Sequence, residues 1–268
     1  MQMTRHTVLL PALALLLAGA AAATTGSAGA SAATPTPTAA AAAKITVLDN
    51  TFYSNVSLGA QRVNVVYDPT DQTDDTKIPT YAQLQTAINQ HSTDTSLILV
   101  LDFEKFYLAG DSATEQRHLA AMRQIISMVQ QIRPGERYGM YGDSDHYGSQ
   151  YLADAQSLES GSAAYFPTNY TSNSDTAAGW TATTTTKVAS ARKLGGKPVY
   201  LYVWPEYRQG GWLPAWDSET TSAHVSFNHE LSTAESLGIS GVVVWSTAKT
   251  ADTTEWTNVV RDYVNGTL

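Results

Sequence analysis

The 268-residue sequence contains no cysteine. That excludes disulfides, thiolate metal sites and a cysteine nucleophile, so the fold has to be held by its core alone. Charge is also sparse, with Asp, Glu, Lys and Arg making up 15% of the chain. Cations are the scarcer sign. Arg5 is the one charged residue before Lys44, and from Lys44 onward 15 Lys and Arg stand against 24 Asp and Glu, a net charge of −9. Such a surface repels nucleic acid and anionic membranes. No Gly-x-Gly-x-x-Gly or P-loop follows a strand-like stretch, which argues against nucleotide binding. There is no Gly-x-Ser-x-Gly, which argues against a serine hydrolase of that type.

Long apolar runs are missing too. The longest, from Val8 to Ala18, is too short to span a bilayer. It follows Arg5 and His6 and precedes small residues with several Ala-x-Ala possibilities, the pattern of a secretory signal peptide. Residues 1–33 are read as that signal, with cleavage between Ala21 and Ala33. Residues 34–43, rich in Ala, Thr and Pro, are read as a linker that cannot build a core. Residues 44–268 then form one domain. A cysteine-free exported chain fits bacterial secretion, and the expectation is an extracellular monomer without cofactor or metal.

Within that domain, strand-like stretches at 45–48, 62–67, 97–102, 137–141, 163–166, 198–203 and 241–245 alternate with helix-like ones. The helical patterns cover 81–89, 114–132, 151–158, 177–194 and 222–237. In 114–132, Leu119, Met122, Ile126, Val129 and Ile132 recur at helical spacing before Pro134. Strands separated by helices predict βαβ units and an α/β fold, a TIM-type (β/α) barrel of seven or eight parallel strands; a doubly wound sheet is the alternative.

The most telling stretch is Leu97-Ile98-Leu99-Val100-Leu101-Asp102-Phe103-Glu104. Five aliphatic residues in a row read as a strand buried on both faces, and they end in two carboxylates at i and i+2. In a barrel that strand end belongs to the active-site rim. The other strand ends carry Tyr67, Asp68, Tyr141, Tyr165, Tyr170, Tyr202, Trp204, Glu206 and Trp245. Flat aromatic faces with polar tips around a carboxylate pair suit a sugar. A glycosidase reading needs a second group besides the acid. Either Glu206 supplies it from across the barrel, or the substrate's own acetamido group does.

The chain resembles the hyaluronidase family of glycoside hydrolases (family 56) in six ordered segments. Ile78-Pro79, Leu84 and the stretch from Leu97 to Glu104 are similar to the approach to that family's Asp-Trp-Glu motif. Ile132-Arg133-Pro134 through Gly139-Met140-Tyr141 resembles its Arg-Pro…Trp-Gly-Tyr-Tyr stretch. Ala164-Tyr165-Phe166-Pro167-Thr168-Asn169-Tyr170 resembles its Tyr-Pro-Ser-x-Tyr segment. Pro198 to Val203 and Gly241 to Trp245 resemble two later strands, and Val260 to Val264 the final helix. The resemblance implies retaining, substrate-assisted cleavage of N-acetylhexosaminide bonds in an oligosaccharide or polysaccharide. Glu104 is then the acid/base, and Asp102 orients and stabilises the intermediate while its charge helps keep Glu104 protonated. Tyr141 and Tyr170 hold the acetamido group, Trp245 lines its pocket, and Tyr202 and Glu206 are further substrate contacts.

Departures are equally visible. Phe103 and Tyr138 replace family tryptophans, the segment after Asp-x-Glu shrinks to residues 105–112, and His146 stands where a cysteine falls. A shortened groove and an acidic surface speak against hyaluronan itself. They also motivate an alternative, a non-catalytic glycan-binding barrel. A second alternative is a retaining enzyme using Glu104 and Glu206 as acid and nucleophile. Asp143, Asp145 and His146 read as a solvated cluster rather than a metal site. Asp68, Asp71, Asp74 and Asp75 read as an acidic loop rather than a calcium site. His118 and His229 read as surface or half-buried helix residues. Trp212 and Trp216 either close over substrate or cap the barrel.

Overall fold

The computed structural model describes residues 44–92, 94–217, 224–251 and 255–267. The signal and linker readings at 1–43, and the start of the helix expected from 222, lie outside the described residues. The described residues hold seven strands: β1 (Thr46–Thr51), β2 (Gln61–Arg62), β3 (Asn64–Tyr67), β4 (Leu99–Asp102), β5 (Tyr138–Met140), β6 (Tyr200–Val203) and β7 (Gly241–Ser246). Six helices accompany them: α1 (Tyr81–His91), α2 (Ser112–Ile132), α3 (Leu152–Glu159), α4 (Ala177–Lys193), α5 (Phe227–Ser236) and α6 (Glu255–Asn265).

All paired strands are parallel, in two sheets of order β2-β1-β7-β6 and β3-β4-β5. The sheets meet at β2 and β3, consecutive in the chain and separated by Val63, whose N–H donates to the Asp49 carbonyl at 3.1 Å. On the other side residues 165–168 link β5 to β6 through single bridges, Tyr141 with Phe166, Tyr165 with Val199 and Thr168 with Tyr202. Residues 163–166 were expected as a full strand. Pro167 has no N–H to give, so the ladder breaks there, although its carbonyl still accepts from the Tyr202 N–H at 2.8 Å. The architecture is the expected α/β barrel type, with two parallel ladders joined through these bridges on one side and no strand pairing between β2 and β3 on the other.

Strand parity sorts the core. Val65, Val100, Tyr202 and Val243 pack together inside the ring, while Val66, Leu99, Leu101, Val203 and Val244 pack against the helices. The same alternation carries Tyr67, Asp102, Trp204 and Trp245 to the inner side of the C-terminal ends. Helix starts follow local rules. Thr80 and Gln83 form a capping box on α1, and Asp111, Thr176 and Ser226 accept N–H bonds at the starts of α2, α4 and α5. On α2 the buried face runs through Leu119, Met122, Ile125, Met128 and Val129; Ile126 and Ile132 are only half-buried. Trp212 stacks on Trp256 at 6.1 Å, so it caps the barrel, while Trp216 is exposed. No helix among the described residues is long and apolar enough to cross a membrane.

Gly241 opens β7 where β1 passes closest, and a Cβ there would collide with the Thr46 carbonyl oxygen. Gly241→Ala is therefore expected to cost on the order of 1–3 kcal/mol in denaturant unfolding. Gly196→Ala, with open space around it, should change stability by less than about 0.5 kcal/mol.

Candidate active site

The strand β4 is fully buried up to Asp102, and the chain then leaves it. Phe103 turns outward into the helix-side core, and Glu104 begins a short 3-10 turn, Glu104–Phe106. Asp102 and Glu104 nonetheless line the same cleft, of about 290 Å³, as the i, i+2 spacing predicts. They differ sharply in surroundings: Asp102 is 9% exposed, whereas Glu104 stands in the open.

That contrast decides where the proton sits. Desolvation first, then repulsion by Glu104 and Asp68, pushes the Asp102 carboxyl up to about 8. Asp102 is pushed up because it sits on the inner side of the ring, whereas Glu104 stands beyond the strand end.

Aromatic groups frame the pair. The Tyr141 and Tyr170 hydroxyls are 2.8 Å apart. Tyr170 stacks on Trp245 with ring centres 5.2 Å apart, and Trp204 meets Trp245 edge-on at 4.9 Å. All four line the cleft. Of the remaining expected contacts, Tyr202 does not reach it: its ring is fully buried beneath Tyr141, in edge contact at 4.8 Å, and serves as floor. Glu206 is absent from the lining as well. Its Oε1 accepts from the Tyr53 hydroxyl at 3.3 Å and the Ser246 hydroxyl at 3.2 Å.

Tyr107, His146, Thr168 and Arg208 line the cleft without having been expected there. The Tyr107 ring stacks on His146 at 4.6 Å and 9°. Gly142, at a φ of 73°, lets the Tyr107 hydroxyl approach, since a Cβ at that position would meet it. Asp145 is not solvated. Its buried carboxylate takes an ion pair from Lys187 at 2.6 Å and an N–H bond from Thr168 at 3.2 Å. Burial lowers the His146 pKa, but Asp145 beside it and the Gly142 carbonyl outweigh this and raise it overall. A second cavity of about 250 Å³ shares His146, Thr168, Tyr170 and Arg208 and reaches the Trp180 and Lys187 side of α4. No cluster of metal-ligating side chains occurs among the described residues. The acidic stretch after β3 is instead a series of Asp-x-Thr turns, Asp68 to Thr70, Asp71 to Thr73 and Asp74 to Thr76. His118 is buried against the Tyr107 carbonyl at 2.8 Å and Asp75 at 3.0 Å, deeper than expected.

No protein-family model and no curated protein matches this chain. Among solved structures, bee venom hyaluronidase in a monoclinic crystal form is similar with a TM-score of 0.53 at 14% identity, over 83% of this chain and 98% of that one. The same venom enzyme in complex with a hyaluronic acid tetramer gives a TM-score of 0.55 at 14% identity, over 83% and 96%. The chain shares a distant fold relationship with these hyaluronidases.

A carboxyl with a folded-state pKa above its unfolded value destabilises the fold once ionised, so its penalty grows as pH rises from about 4 to 8. Asp102→Asn removes that penalty. The variant should match the parent near pH 4 and exceed it by at least about 1 kcal/mol near pH 9, read from denaturant unfolding at both values.

Proposed function

We propose that the protein is a glycoside hydrolase that cleaves N-acetylhexosaminide bonds with retention, using the substrate's acetamido group as nucleophile. The observation that carries this reading is the carboxylate inventory of the cleft. Among the described residues Asp102 and Glu104 are the only acidic ones lining it, two positions apart in the chain, whereas Glu206 is engaged by Tyr53 and Ser246. A conventional retaining pair needs carboxyls on opposite faces of the bond, about 5–5.5 Å apart. Two neighbours on one strand end do not meet that need, so the nucleophile has to come with the substrate.

In this reading Glu104, open to the cleft, protonates the glycosidic oxygen as the acetamido oxygen attacks the anomeric carbon. Asp102, neutral below about pH 8, orients the acetamido N–H through a carboxyl oxygen. The one proton held by the coupled pair passes through Glu104 to the leaving glycosidic oxygen, so Asp102 is left ionised beside the positive oxazolinium ring and stabilises it. Tyr141 and Tyr170 offer hydroxyls to the acetamido group, and Trp245 gives it an apolar wall. Glu104 then draws a proton from water, which opens the ring and restores the original anomeric configuration. The fold likeness to hyaluronidases supports a glycan as ligand, and the N-terminal segment supports action outside the cell.

Glu104→Gln is expected to lower kcat by about 10²- to 10⁴-fold on an N-acetylated oligosaccharide while glycan binding persists. Glu206→Gln should retain most turnover. Full activity in the first variant, or a collapse in the second with the fold intact, would refute the assignment. Binding without any cleavage across chitin, peptidoglycan, chondroitin and hyaluronan fragments would instead favour a lectin-like barrel.

A further inference from the structure

The residue after Glu104 points the opposite way. The Lys105 side chain is only 3% exposed, and its ammonium turns into the loop after β3, with two hydrogen bonds and one ion pair there. It pairs with the Asp68 carboxylate at 2.8 Å, whose side chain is fully buried, and donates to Thr70 Oγ1 at 2.6 Å and the Asp71 carbonyl at 3.0 Å. Asp68 is tied in turn to β4, since its N–H donates to the Asp102 carbonyl at 3.0 Å. Its other carboxylate oxygen accepts from the Thr70 N–H at 2.9 Å and hydroxyl at 2.7 Å. A closed circuit therefore runs from the Asp102 backbone through Asp68 and Lys105 to the residue that adjoins Glu104. Neither Lys105 nor Asp68 lines the cleft.

We propose that Lys105 and Asp68 are positioning residues for the carboxylate pair: their buried ion pair holds the turn that presents Glu104 and fixes the charge that faces Asp102. The inference rests on the reading that Glu104 and Asp102 perform the chemistry. A buried pair of this kind is hard to break, because removing one partner strands the other charge away from water. Its cation lies one residue from the acid/base, and its anion lies behind the buried carboxyl. The acidic groups acting on Asp102 are Glu104 and Asp68, with Asp143 also in its field. The neutral hydroxyls of Tyr67, Tyr107, Tyr141, Tyr170 and Tyr202 complete its titratable surroundings. All of these except Asp68 are unchanged in the variants below.

Asp68→Asn keeps an acceptor for Thr70 and removes the charge. Carboxyl ¹³C NMR of Asp-labelled protein, with the resonance assigned through Asp102→Asn, should then show Asp102 titrating about one unit or more below its value of about 8. This readout needs no turnover, so it stands even if no glycan is cleaved. The alkaline limb of the pH–rate profile should move with it. Lys105→Met should lower kcat by about tenfold or more at nearly constant KM, with Lys105→Arg restoring most of it. If Asp68→Asn does not fold, the double variant Asp68→Asn/Lys105→Met, free of any stranded buried charge, should still lower the Asp102 titration, by less than the single variant because the cation leaves with the anion. An unmoved Asp102 titration in a folded variant, or full kcat in Lys105→Met, would overturn the proposal.

Discussion

A carboxyl that ends an all-aliphatic inner strand has to leave water, and in this barrel that group is Asp102. Leu99, Val100 and Leu101 are fully buried on their two faces, so nothing before Asp102 offers it a polar partner. The strand alternation that sends Val100 into the ring sends Asp102 to the same side two residues later. Its desolvation is therefore a consequence of the fold and not of a local accident. Two features of the site follow from it. One is a carboxyl that is neutral near physiological pH; the other is an adjacent carboxyl, Glu104, released by the end of the strand into the open cleft.

The aromatic surround follows the same geometry. Parallel strands in register bring Tyr67 level with Asp102 and Trp245 level with Asn50, so side chains of like parity arrive at one rim. Tyr170 and Trp204 then close on Trp245 to form an amphipathic wall. Such a wall pairs apolar faces with hydroxyl tips, and the two acids stand at its foot. In a chain with so few charges, the pair and its aromatic wall concentrate polar chemistry at one end of the barrel.

Much of this was legible in the sequence because strand and helix periodicities are strong where burial is complete. The aliphatic run into Asp102 and Glu104, the α2 pattern and the Gly241 to Trp245 strand all declared themselves. What could not be read was anything set by contacts distant along the chain. Glu206 and Tyr202 sit at a strand end like their neighbours, yet Tyr53 and Ser246 capture the first, and Tyr141 roofs the second. Tyr107, His146 and Arg208 reach the cleft from loops with no periodic signal, and Asp145 is buried only because Lys187 of α4 meets it. The Asp-x-Thr turns did leave a local trace, but their anchor, Lys105, is visible only in three dimensions.

The central claim is that a cleft with two neighbouring carboxyls borrows its nucleophile from the substrate. The most direct measurement compares hydrolysis of an N-acetylated oligosaccharide with that of its de-N-acetylated twin, following the anomeric configuration of the first product by NMR. The account predicts cleavage of the first with retention and a loss of turnover of about 10³-fold or more for the second at comparable binding. Equal hydrolysis of both, or an inverted product, would contradict it.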